Sequence, residues 1–251
     1  MKTIQDVQKK EELITSEVCI LGDVHEESMI DAYKLTVEGT TSEGSLQYSK
    51  YANIYMHQGT LRCHDAKITL LDFGSVHATT VHADTVIGGE IYAQDVTIKH
   101  LKGNATVYAS NSIAIEHISG KDNKLFINYK EVPILMSKIE LIQDDIEELT
   151  TSLEQAKKDN SSLEKEIEVE IKRLHQEIEI IQSSTKNAKI TIEKPVKTKN
   201  MITFQIDDSN VISFETQKET YSAFFLSSQE GRIGTSLSLI NNLLSFPLIC
   251  S

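Results

Sequence analysis

The chain has 251 residues, a formal net charge of −12, 39% apolar residues, no Trp and only 6% aromatics. That is enough apolar material for a sizeable core, and too few rings for the stacking platforms of single-strand nucleic-acid binders. The acidic excess, concentrated between Glu131 and Ile180 where 14 Asp and Glu face 6 Lys and Arg, argues against nucleic acid and anionic lipid surfaces as partners.

The start, Met1 to Glu12, is mixed in charge and has no apolar signal-peptide run, so a cytoplasmic protein is expected. Residues 1–15 are read as an N-terminal cap. Cys19, Cys63 and Cys250 have neither metal-ligand nor redox spacing and are read as reduced thiols.

Residues 16–130 carry a repeat of five nested in a repeat of about fifteen. Steps of five from Leu46 give Tyr51, Met56, Leu61, Ala66, Leu71, Val76, Val81, Val86, Ile91, Val96 and Leu101 without a polar residue. Two residues later come Cys63, Ile68, Phe73, Ala78, Ala83, Gly88, Ala93, Ile98 and Gly103, mostly apolar or small. In-out-in alternation over three residues is a short strand, and two further residues turn a corner. The markers Ile30-Asp31-Ala32, Val76-His77-Ala78, Ile91-Tyr92-Ala93 and Val107-Tyr108-Ala109 set three sides per coil. The predicted fold is a mainly β, single-stranded parallel β-helix of five to six coils, about 15 residues each, stacked roughly 4.8 Å apart.

His64, His77, His82, His100 and His117 all fall in this segment, but no two are fifteen apart, so no metal-binding column is expected. Arg62, His77, Tyr92 and Tyr108 share one outward column, which suits either a solvated ladder or partner recognition.

At residues 131–186 the apolar period lengthens to about three and a half. Leu135, Ile139, Ile142, Ile146, Leu149, Leu153 and Ala156 form one seam and Leu163, Ile167, Ile171, Leu174, Ile178 and Ile181 a second, predicting α-helical coiled coil begun near Pro133. One continuous helix would be about 75 Å long, and an antiparallel hairpin about 37 Å. Ser161 with Glu164 matches a capping box, favouring the hairpin, while the unbroken spacing through Asn160 favours the continuous helix. Residues 187–251 return to strand-like runs, Lys189–Ile192, Met201–Phe204 and Val211–Phe214, expected to stack on or cap the prism. The apolar tail Leu237–Cys250, broken by Asn241, Asn242 and Pro247, is shorter than the ~20 residues of a membrane span and is expected to pack on its own protein.

This order of β-helix, Ile127-Asn128 turn, coiled coil and strands, with the Ile-x-Ala markers and Val86-Ile87-Gly88-Gly89-Glu90-Ile91-Tyr92-Ala93, resembles the flagellar assembly protein A family of bacteria, over roughly Val18 to Ile192. The resemblance implies a short member without the family's N-terminal domain, a cytoplasmic protein tied to flagellation or cell-pole organisation, and no catalytic residues. Enzyme signatures are missing independently. The repeat is five rather than the six of acyltransferase β-helices, Glu26-Glu27 and Asp144-Asp145 do not converge on one groove, and no phosphate-cradling loop or nucleophile elbow occurs. The expected function is a non-catalytic scaffold with no cofactor or metal. It binds protein partners through the acidic outer faces of the arm, Glu147, Glu148, Glu154, Glu166, Glu168 and Glu170, and is a possible homo-oligomer; a bactofilin-like polymerising protein is the alternative.

Overall fold

The structure is a computed structural model that describes residues 1–158, 163–205 and 211–216, with the short antiparallel pair 228–229 and 232–233. It is a parallel β-solenoid of about eight turns. Its strands are β1 (Lys2–Ile4), β2 (Glu12–Ile20), β3 (Met29–Thr41), β4 (Leu46–His57), β5 (Thr60–Asp72), β6 (Ser75–His77), β7 (Thr80–Ile118), β8 (Lys124–Ile127), β9 (Lys189–Ile192), β10 (Asn200–Gln205) and β11 (Val211–Thr216).

Each coil stacks in parallel on the one before it, and alternate side chains enter the lumen. One side buries Leu13, Ile30, Leu61, Val76, Ile91, Val107, Leu125 and Ile202 in a single row; the next buries Val18, Leu35, Ala52, Ala66 and Val81. A Val, Leu or Ile moved from water into such a row contributes roughly 1.5–3 kcal/mol. No single coil could supply this burial alone, which is why the stack is the unit of stability.

Four expectations are corrected. The turns number about eight rather than five to six. The N-terminal coils, such as the one that runs from Met29 to its partner Leu46, are longer than the repeat and so do not show its spacing. Residues 1–15 are not a separate cap: Lys2–Ile4 pair in parallel with Val18–Ile20, and Glu12–Thr15 with Met29–Ala32, so they build the first coil. The five-residue phase holds from Leu61 onward but is one residue early before it. The coil from Leu46 to its partner Thr60 falls one residue short of the repeat, so Gln47, Ala52 and His57 point inward while Tyr51 is 39% exposed. Finally, Phe73 turns outward. Its φ of 60° puts it in the left-handed region at a corner, and its ring lies on Gly88 of the next coil, where a Cβ would meet the ring at 2.5 Å.

The helices interrupt a single coil at one corner. Only Ser110 and Asn111 separate Ala109 from Ser112, whereas the partners of those two residues one layer on, Ile127 and Lys189, have the entire helical insertion between them. Residues Lys189–Ile192 resume the next side on Ser112–Ile115, β10 stacks in parallel on β8, and β11 runs antiparallel along β10. Within the insertion, α1 (Pro133–Lys158) and α2 (Glu164–Gln182) pack through Leu135, Ile139, Ile142, Leu174 and Ile181. Pro133 opens α1, where its missing N–H has no intrahelical partner to lose. Leu163 stands at the α2 N-cap. Ser161 of the expected capping box, Asn160, and the tail Leu237–Cys250 lie outside the described residues. No helix among the described residues is long and apolar enough to cross a membrane.

Candidate functional site: the aromatic column and the arm root

Parallel, nearly in-register stacking puts equivalent outward residues of successive coils one above another. Arg62 pairs with His77, His77 with Tyr92, and Tyr108 with Phe126. The rings of His77 and Tyr92 lie 4.8 Å apart at 4°, Tyr92 and Tyr108 5.0 Å at 7°, and Tyr108 and Phe126 4.8 Å at 12°. The expected column therefore exists, and Phe126 extends it. Because ring faces are used against one another, the column offers edges and hydroxyls to solvent, not flat faces for a sugar or base. Tyr92 donates from its hydroxyl to Glu90 Oε2 at 3.0 Å.

Burial in the stack, then the Glu90 hydrogen bond and the carboxylates of Glu90 and Glu131, push the Tyr92 hydroxyl well above the ordinary tyrosine range. Burial, then Glu131 and Glu90, raise Tyr108 as well. His77 is lowered, by burial first and by Arg62 second. All these shifts favour the neutral forms, so His77, Tyr92 and Tyr108 form a stack of uncharged rings.

The other predicted histidines scatter. His64 Nδ1 sits 3.0 Å from Asp65 Oδ2, and His82 is exposed. The spacing argument fails for His100 and His117. The coil between them is longer than the repeat, and it brings their rings edge to face at 6.3 Å. Among the described residues no three His, Cys, Asp or Glu gather as a metal site.

A buried polar group went unnoticed in the sequence. His57 is fully enclosed, with Nδ1 2.5 Å from Thr41 Oγ1 and Nε2 3.2 Å from the Ser75 carbonyl. The carbonyl can only accept, so Nε2 carries the proton and Nδ1 accepts from Thr41. Burial lowers its pKa to about 4, against a small opposing effect of the Ser75 carbonyl. Gln47, also fully buried, donates from Nε2 to Ser45 Oγ at 2.9 Å, while its Oε1 has no hydrogen-bond partner among the described residues. Cys63 is buried and its thiol is pushed up to about 12, first by burial and then by Asp65, so it is unreactive at neutral pH.

At the arm root, Asn128 accepts from the Lys130 amide at 3.0 Å and donates from Nδ2 to Gln205 Oε1 at 2.9 Å, joining the chain's exit to the coil that follows the insertion. Val132 is completely buried there. Along the arm, Lys138 pairs with Glu177 at 2.8 Å and Lys157 with Glu168 at 3.2 Å, and Arg173 holds Glu170 at 2.7 Å and Glu177 at 3.1 Å. Of the six glutamates expected on the outer faces, Glu168 and Glu170 are thus paired and Glu170 is half-buried; Glu147, Glu148, Glu154 and Glu166 are exposed.

Comparisons with protein-family models, with curated proteins and with solved structures returned no match.

Proposed function

We propose that the protein is a non-catalytic scaffold, a rigid solenoid that carries an antiparallel coiled-coil arm, and that the arm docks protein partners in a bacterial cytoplasm. The observation that carries this reading is the insertion point. A helix pair set into one corner of one coil, with its root tied down by Asn128 and Gln205, is built to hold a long charged element at a fixed place. The aromatic column, with its rings occupied by each other and its titrating groups held neutral, supports a structural role for the solenoid wall rather than chemistry. The exposed glutamates of the arm suit reversible docking on a basic protein surface, with charge steering the encounter. By its resemblance, the system served is flagellar assembly or cell-pole organisation.

A bactofilin-like filament would require the last layer to accept the first layer of another copy in parallel, and the antiparallel β11 stands in that place.

Two experiments test the proposal. Leu149→Cys with Ile171→Cys should form a disulfide within one chain if the helices make a hairpin; only inter-chain disulfides at low protein concentration would overturn it. Replacing Ile139 to Ile181 by a short Gly-rich turn should leave the solenoid's melting transition in place and abolish partner recovery in pull-downs. Equal recovery by the armless chain would move the binding surface to the solenoid.

A further inference from the structure

One layer of the lumen breaks the apolar pattern. On the first side the inward positions are Ile30 and Ala32 in one coil and Leu61 and Cys63 two coils on, all of them buried. The coil between them brings Gln47 and Ser49 to those places, since Gln47 pairs with Ile30 and Leu61, and Ser49 with Ala32 and Cys63. They are alternate residues of β4, so both side chains leave the same face of the strand.

Two polar atoms of this layer are left over. Ser45 Oγ donates its single proton to the Ser42 carbonyl at 2.5 Å, so toward Gln47 it can only accept, and it takes the hydrogen bond from Nε2 at 2.9 Å. That fixes the orientation of the amide and leaves Gln47 Oε1 as the orphan. Oε1 and Ser49 Oγ are both enclosed, and neither has a hydrogen-bond partner among the described residues. His57, the other polar side chain that this coil turns inward, already holds Thr41 and the Ser75 carbonyl. Space beside them comes from small neighbours: on the adjoining side Ala52 and Ala66 occupy consecutive layers of a row that Leu35 fills before them and Val81 after them.

Chemistry narrows what fits there. An amide oxygen only accepts, so the guest must donate, while the Ser49 hydroxyl does either. The coil turns no carboxylate inward, so a cation would lie in the lumen without a counter-charge, at a large desolvation cost. We propose that a structural water is bound inside the solenoid, donating to Gln47 Oε1 and hydrogen-bonded to Ser49 Oγ. Such a water explains how a glutamine is accommodated between Ile30 and Leu61, because its amide is met by Ser45 at one atom and by the water at the other. The site does not depend on what the arm binds.

Magnetic relaxation dispersion of the solvent water with the full chain tests it, because a water enclosed between stacked coils stays bound long enough to be counted. Gln47→Met keeps the length of the side chain and removes its polar atoms; it should lower the dispersion amplitude by about one long-lived water relative to the wild type. Ser49→Ala should lower the amplitude as well, and Lys50→Ala, at an exposed corner next door, should leave it unchanged. Wild-type spectra should show a water cross-peak at the Gln47 side-chain amide or the Ser49 backbone amide, which keeps the test decisive if Gln47→Met does not fold. An amplitude that either lumen variant leaves unmoved, or the lack of a water cross-peak at both residues, would overturn the proposal. So would a wild-type melting temperature that rises when sodium or ammonium replaces choline chloride at equal ionic strength and rises less in Ser49→Ala, an outcome that assigns the site to a cation.

Discussion

Asn123 donates from Nδ2 to Oδ1 of Asn200 at 2.8 Å, although the two are 77 residues apart in sequence and the whole arm lies between them. Both are fully buried, and they belong to a corner ladder in which each layer's amide is met by the next layer's side chain. The Ala105 amide donates to Asn123 Oδ1 at 3.1 Å, the Asn123 amide to Asn200 Oδ1 at 3.1 Å, and the Asn200 amide to Thr216 Oγ1 at 2.9 Å. Thr216 closes the series by donating to the Thr198 carbonyl at 2.6 Å.

Asn200→Ala should therefore strand two buried donors on Asn123. At about 1–3 kcal/mol for each buried group left unpaired, a loss of about 2–4 kcal/mol is expected from urea unfolding. A loss below ~1 kcal/mol would show that the ladder is not what joins the coils on either side of the arm.

Val81 is fully buried and its neighbour His82 is exposed, so they read the in-out register directly. Val81→Asp should give an unfolded or aggregating protein, because a carboxylate in the lumen has neither partner nor water. His82→Asp should melt within a few degrees of the wild type. Similar behaviour of the two would place the wall one residue out of register.

His57 predicts a pH dependence with a definite sign. Its folded pKa of about 4 lies below the unfolded 6.5, so the neutral ring is favoured by folding. Its share of stability is complete above pH 6.5 and is lost as pH falls toward 4, where the unfolded chain binds a proton that the folded chain excludes. From about pH 7 to about pH 5 this one group should remove about 2 kcal/mol. His57→Leu should lose about that much less than the wild type over the same interval in urea titrations; identical pH profiles would mean that the ring is protonated or hydrated in the fold.

In the aromatic column Tyr92 is stacked on both faces. Tyr92→Ala should cost about 1–3 kcal/mol for two ring contacts, beyond the lost burial. Tyr92→Phe keeps both stacks and loses only the exposed bond to Glu90, so chemical denaturation should find it within ~0.5 kcal/mol of the wild type. Equal losses for Ala and Phe would assign the stabilisation to the hydroxyl.

How far the sequence could be read follows from what fills each inward position. From Leu61 to Leu101 every fifth residue is apolar, and the wall was legible there. In the coil before it, Gln47 and His57 point inward while Leu46, Tyr51 and Met56 sit one residue away. A reader of apolar spacing follows the second set, and polarity alone could not reveal that Thr41 and the Ser75 carbonyl satisfy the imidazole. Coil length drifts along the solenoid, from the longer step between Met29 and Leu46 to the shorter one between Leu46 and Thr60. The same drift concealed the first coils and the His100–His117 contact. Phe73 was missed because its outward turn depends on a left-handed backbone and on the bare backbone of Gly88, neither of which has a periodic signature. The two helices were legible because their period comes from the helix itself, although Leu163 of the second expected seam is exposed, and the outward column because residues fifteen or sixteen apart in successive coils stack.

Placing the whole arm between Ile127 and Lys189, where the layer below turns through Ser110 and Asn111 alone, also carries an entropic cost of loop closure. Joining the ends of a flexible segment of that length would cost about 3 kcal/mol more than closing the short corner, at roughly 0.6 kcal/mol per doubling. A helix pair avoids most of this penalty, since its helices form in about a microsecond and meet through local contacts. Pairing of α1 with α2 therefore offsets much of the cost of bringing Lys189 beside Ser112, where the wall resumes.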